Sequence, residues 1–274
     1  MTWQQALKKA IPQHKYSINS ELLGDSAVLP WSNLGLWKTA IETYPQACQN
    51  LAQHLADSLN LNSKDHVVDL GCGQGASLIF WLENYHFQSL SAIELQPSHV
   101  QKIQKNLNSK LNIYCDSFLN LKNILPKSSQ SAVLCIDAAY HSDLNSLLQA
   151  SHFVLNSNGR IGFHYLMLSE HFLNLNALQR RKYAYLLKAA DVNLQHLNTE
   201  QALIQQCMNH GFNHLKVTDL SEEVLAGFAR YMQHRPLQGN RFDQLKIEMT
   251  AKLCRYLYQE GYIRYVEVVG HKGE

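Results

Sequence analysis

The chain has 274 residues, and its 24 Lys and Arg against 22 Asp and Glu leave a formal net charge of only +2, which removes the electrostatic case for a nucleic acid partner. No stretch of 18 apolar residues occurs and the N-terminus lacks an apolar signal core, so no membrane span is expected and the expected location is cytoplasmic. The six cysteines form no C-x-x-C pair, and His210 and His214 are separated by the helix-ending Gly211, so neither a disulfide framework nor a metal site is expected.

Taken in chain order, residues 1–15 read as a short amphipathic helix ended by Pro12. Residues 16–43 are aromatic-rich and irregular, with Pro30, Trp31, Asn33, Gly35 and Trp37, and suit either an arm packed on the domain or a lid. A helix then opens at Tyr44-Pro45, with Cys48, Leu51, Ala52, Leu55, Ala56 and Leu59 on one apolar stripe.

Residues 67–70 are a short apolar run ending in Asp69 and Leu70, broken by glycines at alternate positions, Gly71, Gly73 and Gly75, before a helical pattern starts at Ala76. That is a strand, a tight turn and a helix start, an arrangement whose exposed N–H groups and missing Cβ atoms make a seat for a ligand. The next strand ends in Glu94, about 20 residues on, where nucleotide-binding α/β folds place a carboxylate against ribose hydroxyls. A further apolar run ends at Asp116, with Ser117 and Phe118 beyond it.

Strands are expected near 66–70, 89–94, 112–115, 132–137 and 160–166, alternating with helices at 76–85, 97–109, 118–124 and 143–155, a pattern that implies a parallel sheet with helices on both faces. After Leu168 the pattern changes to polar helical material over 169–196, a helix closed by Gly211, a strand at 215–219, two helices marked by Val224, Leu225, Phe228, Tyr231 and by Leu245, Met249, Leu253, Leu257, and a last strand at 262–269.

In their order and spacing, these motifs resemble those of the class I S-adenosylmethionine-dependent methyltransferases, over roughly residues 65–168. The run 69–75, Asp-Leu-Gly-Cys-Gly-Gln-Gly, resembles the family's first motif, Glu94 its ribose acid, Asp116 its adenine-side acid, and Ile136, Asp137 and Tyr140 its fourth motif. The resemblance implies an α/β, Rossmann-like mixed seven-stranded sheet, parallel with one antiparallel strand and flanked by helices; the family joins its last two strands by a short connection, so the longer stretch here is read as one of several helical lid insertions. It implies one domain over 1–274, made of an arm or lid (1–43), a nucleotide-binding core (44–168) and helical cap segments (169–198 and 221–260). S-adenosyl-L-methionine would be the cofactor and S-adenosyl-L-homocysteine its product, held by Asp69, Gly71, Cys72, Gly73, Gly75, Glu94, Leu95, Gln96, Asp116, Ser117, Phe118 and Asp137.

Methyl transfer is an in-line displacement, so the protein mainly aligns donor and acceptor, excludes water and removes a proton where the acceptor needs it. His141 is the candidate general base, with Tyr140 beside it, and Trp37, Tyr140, His164 and Tyr165 are candidate contacts to the acceptor. Aromatic residues near the mouth suggest a small apolar or aromatic metabolite as acceptor. His164 and Tyr165 stand where many small-molecule members carry an acid, which leaves the acceptor chemistry open. The other reading is a catalytically silent domain that binds the adenosyl ligand to regulate or scaffold a partner.

Overall fold

The structure is a computed structural model that describes residues 19–107, 110–233, 235 and 239–273. The helix expected at 1–15 lies outside the described residues. The first turn among the described residues is Ser20–Leu23, ended by Gly24 in the left-handed conformation, after which the chain runs irregularly to α1, Tyr44–Ser58. The apolar stripe of α1 is buried as its spacing requires, with Ala47, Cys48, Leu51, Ala52, Leu55 and Ala56 facing inward.

The core alternates β1 (His66–Leu70), α2 (Ala76–Asn84), β2 (Ser89–Glu94), α3 (Pro97–Leu107), β3 (Asn112–Cys115), a short α4 (Leu121–Ile124), β4 (Gln130–Cys135), α5 (Leu144–Val154) and β5 (Leu155–Leu168). Then follow α6 (Ala177–Ala189), α7 (Glu200–Asn209), β6 (Phe212–Asp219), a π-turn at Glu222–Ala226 leading into α8 (Gly227–Gln233), α9 (Arg241–Glu260) and β7 (Ile263–Lys272).

The seven strands form one sheet in the order β3-β2-β1-β4-β5-β7-β6, with β7 antiparallel to both neighbours and every other pairing parallel. The expected mixed sheet is borne out. The order reverses at β1, whose neighbours are β2 and β4, and this switch point puts the carboxyl ends of those three strands around one crevice.

Two boundaries differ from the sequence reading in ways that matter for the site. β4 stops at Cys135, and the chain turns sharply at Asp137, whose φ of 55° is left-handed, so Asp137 sits in the turn beyond the strand. β5 runs to Leu168, two residues past the expected end, because its antiparallel register with β7 continues through Met167 against Arg264 and Leu168 against Ile263.

β5 is buried on both faces, and its side chains alternate between them. A Cβ at Gly162 would lie 2.6 Å from Leu59 and 2.7 Å from Leu55, so the absent side chain lets α1 pack directly on the strand. The arm is tied down by the same logic: Gly35 (φ 73°) has no room for a Cβ against Ala47, and its N–H donates to Asn33 Oδ1 at 2.9 Å.

Candidate active site

The turn after β1 is built from Gly71, Gly73 and Gly75, with φ of 70°, 56° and 95°. A Cβ would fall 2.9 Å from Ala138 at Gly71, 2.7 Å from Ser32 Oγ at Gly73, and 2.7 Å from Ile103 Cγ1 at Gly75. The turn therefore touches the β4-end turn on one side and the arm on the other, while Gly75 lets α3 approach the start of α2.

Beyond the turn lies a cavity of about 930 Å³, at the large end of the ~300–1,000 Å³ range of small-molecule sites. Its walls come from five places: Gly71, Gly73 and Gln74 of the turn; Glu94 with Leu95 and Gln96; Ser117, Phe118 and Leu119; Asp137, Ala138, His141 and Ser142; and the arm facing α9. At the mouth Asn19 Nδ2 donates to Asp243 Oδ2 of α9 at 3.1 Å, with Lys246 one turn further on. A smaller cavity of about 70 Å³ lies between the turn and the arm, lined by Asp69, Cys72, Ser77, Asn33 and Asp137 among others.

The three strand-end acids have three different surroundings. Asp69 is 1% exposed and accepts hydrogen bonds from Ser77 Oγ (2.8 Å) and Trp81 Nε1 (2.9 Å), which clamp β1 to α2; burial nevertheless pushes its carboxyl up to about 6. Glu94 accepts the N–H of Gly73 at Oε2 (3.0 Å) and that of Gln96 at Oε1 (2.8 Å). A carboxylate has about four acceptor positions, so it retains capacity for a diol, and the residues present fit an adenosyl ligand. Asp116 uses Oδ1 for Ser117 N (2.7 Å) and Asn120 Nδ2 (2.9 Å), and the cavity wall beside it is Ser117, Phe118 and Leu119.

Asp137 ties three elements together. Its Oδ2 accepts the Leu34 N–H of the arm at 3.2 Å, and its Oδ1 accepts the hydroxyls of Tyr140 and, at 3.0 Å, of Tyr265 in β7. Burial raises its carboxyl above the ordinary range, opposed by the hydrogen bond from Tyr140, the charge of His164, and the bonds from Tyr265 and Leu34. His141 closes the 3₁₀ turn Ala139–His141 and places Nδ1 3.1 Å from the Asp191 carbonyl. A carbonyl only accepts, so Nδ1 is the donor in this contact. The N-cap of α5 is Asp143, which accepts Ser146 N at 2.9 Å; His141 does not cap that helix.

Trp37, His164 and Tyr165 do not reach the cavity. Trp37 stacks on Tyr231 at 4.3 Å and bonds the Leu34 carbonyl through Nε1 at 2.9 Å, fastening the arm to α8. Because β5 continues to Leu168, His164 and Tyr165 lie inside the sheet on opposite faces. His164 stacks on Tyr265 (5.5 Å) and faces Glu267, and the Tyr165 hydroxyl bonds the His196 carbonyl and receives Asn198 Nδ2 at 3.2 Å. Of two further aromatics, Trp31 sits edge-on to Phe80 at 6.3 Å and lines the smaller cavity, and Phe172 packs on Tyr183 at 5.7 Å. Tyr265 and Ser32 escaped the sequence reading, whereas an approach of the arm to the 221–260 segment was expected from it. Tyr265 reaches Asp137 only through the β5–β7 pairing, and no local pattern marks it.

Residues 67–159 match the family model of a methyltransferase domain. Erythromycin 3''-O-methyltransferase of Saccharopolyspora erythraea is 39% identical over 69 residues, 25% of this chain and 22% of that protein's length. The O-methyltransferase resE of Aspergillus sclerotiorum is 23% identical over 198 residues, 70% of this chain and 72% of that one. The chain thus spans about a fifth of the first relative and nearly three quarters of the second. Among solved structures, geranyl diphosphate C-methyltransferase from Streptomyces coelicolor A3(2), in complex with Mg2+, geranyl-S-thiolodiphosphate and S-adenosyl-L-homocysteine, superposes with a TM-score of 0.75 at 14% identity, over 97% of both chains.

The sheet order, the glycine turn and the matched segment define a Rossmann-like methyltransferase domain. Residues 67–159 thus carry a methyltransferase domain, and the fold around them is that of the class I S-adenosylmethionine-dependent methyltransferases, as the motifs led us to expect. No helix among the described residues is long and apolar enough to cross a membrane, and no group of three or more His, Cys, Asp or Glu among them could hold a metal ion.

Proposed function

We propose that the chain transfers the methyl group of S-adenosylmethionine to a hydroxyl of a small molecule with an apolar body. The observation that carries this reading is the single cavity shared by the glycine turn, Glu94 and His141, which is large enough for donor and acceptor together. The donor brings an activated methyl on a sulfonium. Residues 71–75 seat its methionine part, Glu94 its ribose, and Ser117 and Phe118 its adenine side, while Asp137 orients the floor beside the methyl and Tyr140 shields it.

On this reading His141 is the general base, with the Asp191 carbonyl fixing its tautomer. The arm and α9 meet across the mouth and keep water from the reacting centre. The hydroxyl acceptor is supported by a wall that mixes Leu95, Phe118, Leu119 and Pro30 with Asn19, Glu21, Asp243 and Lys246, and by the two relatives, both named as O-methyltransferases. With Trp37, Tyr165 and Phe172 packed in the core and none of the three lining the large cavity, a wholly apolar or aromatic acceptor loses most of the wall that suggested it.

The test is transfer of a labelled methyl group from the donor to a panel of hydroxylated small molecules, run beside calorimetry of donor and product binding. Labelled product and product-inhibited turnover are expected. Tight donor binding with no transfer to any acceptor would instead support the silent, ligand-sensing reading.

A further inference from the structure

Residues 171–190 contain four Lys and Arg and no Asp or Glu, with Glu170 and Asp191 just outside. Most of this segment is α6. Its inner face is spoken for: Tyr183 and Leu187 are buried, the Tyr183 ring stacks on Tyr256 of α9 at 5.9 Å, and Lys182 Nζ lies 4.6 Å over the Tyr256 ring. Arg180 is bonded to the carbonyls of Leu173 and Leu175. The outer face is Leu178, Arg181, Tyr185 and Lys188, spaced three, four and three apart and so aligned along one line of the helix, opposite the buried pair. Leu178 and Tyr185 are each 77% exposed.

A solvated helix face needs only the charges. Here an exposed leucine and an exposed tyrosine alternate with Arg181 and Lys188, on a helix whose inner face is packed against α9. Cations interleaved with apolar and aromatic side chains are the composition that lies in the plane of an anionic bilayer, where the ring and the leucine enter the headgroup boundary and the cations meet lipid phosphates. We propose that this face of α6 is a docking surface for an anionic lipid membrane. The binding is peripheral and reversible, because two cations and two apolar side chains supply a modest, salt-sensitive attraction. The inference does not depend on the methyl-transfer reading, and α6 contributes nothing to the cavity wall.

The experiment is co-sedimentation of the full chain with phosphatidylcholine vesicles, with and without phosphatidylserine, at low and high salt. Binding is expected only with phosphatidylserine and should fall as salt rises. Arg181→Glu with Lys188→Glu should weaken it roughly tenfold or more, and Leu178→Ser with Tyr185→Ser should weaken it severalfold. Both double variants change exposed side chains only, and unaltered donor binding by calorimetry would show that they fold. Absence of binding to phosphatidylserine vesicles, equal binding to neutral ones, or binding unchanged in the charge-reversal variant overturns the proposal. Capture by immobilised polyglutamate but not by vesicles would also overturn it, in favour of an acidic protein partner.

Discussion

Tyr265 donates its hydroxyl to Asp137 Oδ1 at 3.0 Å, joining the strand next to the sheet edge to the turn at the floor of the cavity. The two residues are 128 positions apart, and both are buried or nearly so. Removing one donor from a buried carboxylate leaves an acceptor short of a partner, which costs about 1–3 kcal/mol. Tyr265→Phe should therefore destabilise the chain by that amount in urea denaturation, and the loss should shrink when Asp137→Asn is also present. Equal losses in both backgrounds would mean that the hydrogen bond contributes nothing. Tyr265→Phe should also move the Asp137 carboxyl further up, because one of the bonds that hold it down is gone.

Glu267 is 1% exposed and accepts Ser58 Oγ at 2.6 Å and His54 Nδ1 at 2.8 Å, with His164 Nε2 at 3.7 Å. Burial by itself would raise it, but His164, His54 and Ser58 together outweigh burial and hold it at about 2; His164 acts by charge across 3.7 Å, whereas the other two bond directly. A depressed carboxylate stabilises the folded state above its unfolded value near 4.5, and that contribution disappears as pH falls from there through about 2. His54, raised chiefly by the same bond, adds stability that is present below its unfolded value near 6.5 and lost as pH rises through its higher folded value. Glu267→Gln should remove both slopes and cost about 3 kcal/mol near neutral pH. Urea midpoints measured from pH 2 to 8 check this, and parallel curves for the two proteins would contradict it.

Glu94 has acceptor capacity left for a diol after its two backbone bonds. Glu94→Ala should weaken the donor and its demethylated product by about 1.5–3 kcal/mol, roughly tenfold or more. It also unpairs Gly73 N and Gln96 N, so Glu94→Gln, which keeps an acceptor, should lose less. Calorimetry that finds wild-type affinity in the alanine variant would remove the ribose role.

For His141 the measurement must separate chemistry from binding. His141→Gln should lower turnover by roughly 10²–10⁴ with little change in donor affinity, and the acid limb of the wild-type pH–rate profile should vanish with it. Near wild-type turnover would leave alignment as the source of rate.

Asn19 bonds Asp243 across the mouth, and Ser32 lies over the glycine turn. If the arm and α9 cover the bound donor, amide exchange should slow in 19–37 and 241–250 when S-adenosylhomocysteine is added. Identical exchange with and without ligand would make both segments static packing.

The end of the crevice formed by the glycine turn and Glu94 was legible in the sequence because it depends on short-range chemistry. A strand, three glycines with positive φ and a helix start must be contiguous, and an acid at the end of the next parallel strand is carried to the same crevice by the right-handed crossover. Asp69, Gly71, Gly73 and Glu94 could be placed from spacing alone for that reason. The acceptor side could not. Whether His164 and Tyr165 reach the cavity depends on where β5 ends, and that is set by its register with β7, a hundred residues away, which carries pairing on to Leu168. The fate of Trp37 was decided by Gly227, where a Cβ would lie 2.6 Å from the indole, and that of Asp137 by a tyrosine on β7 and an amide in the arm. Local propensity and periodicity determined which elements exist and where the glycine turn and Glu94 meet. Only the packed structure determined which aromatic side chains are walls and which are core, because burial is a property of distant segments meeting and a side chain's own neighbours in sequence do not encode it.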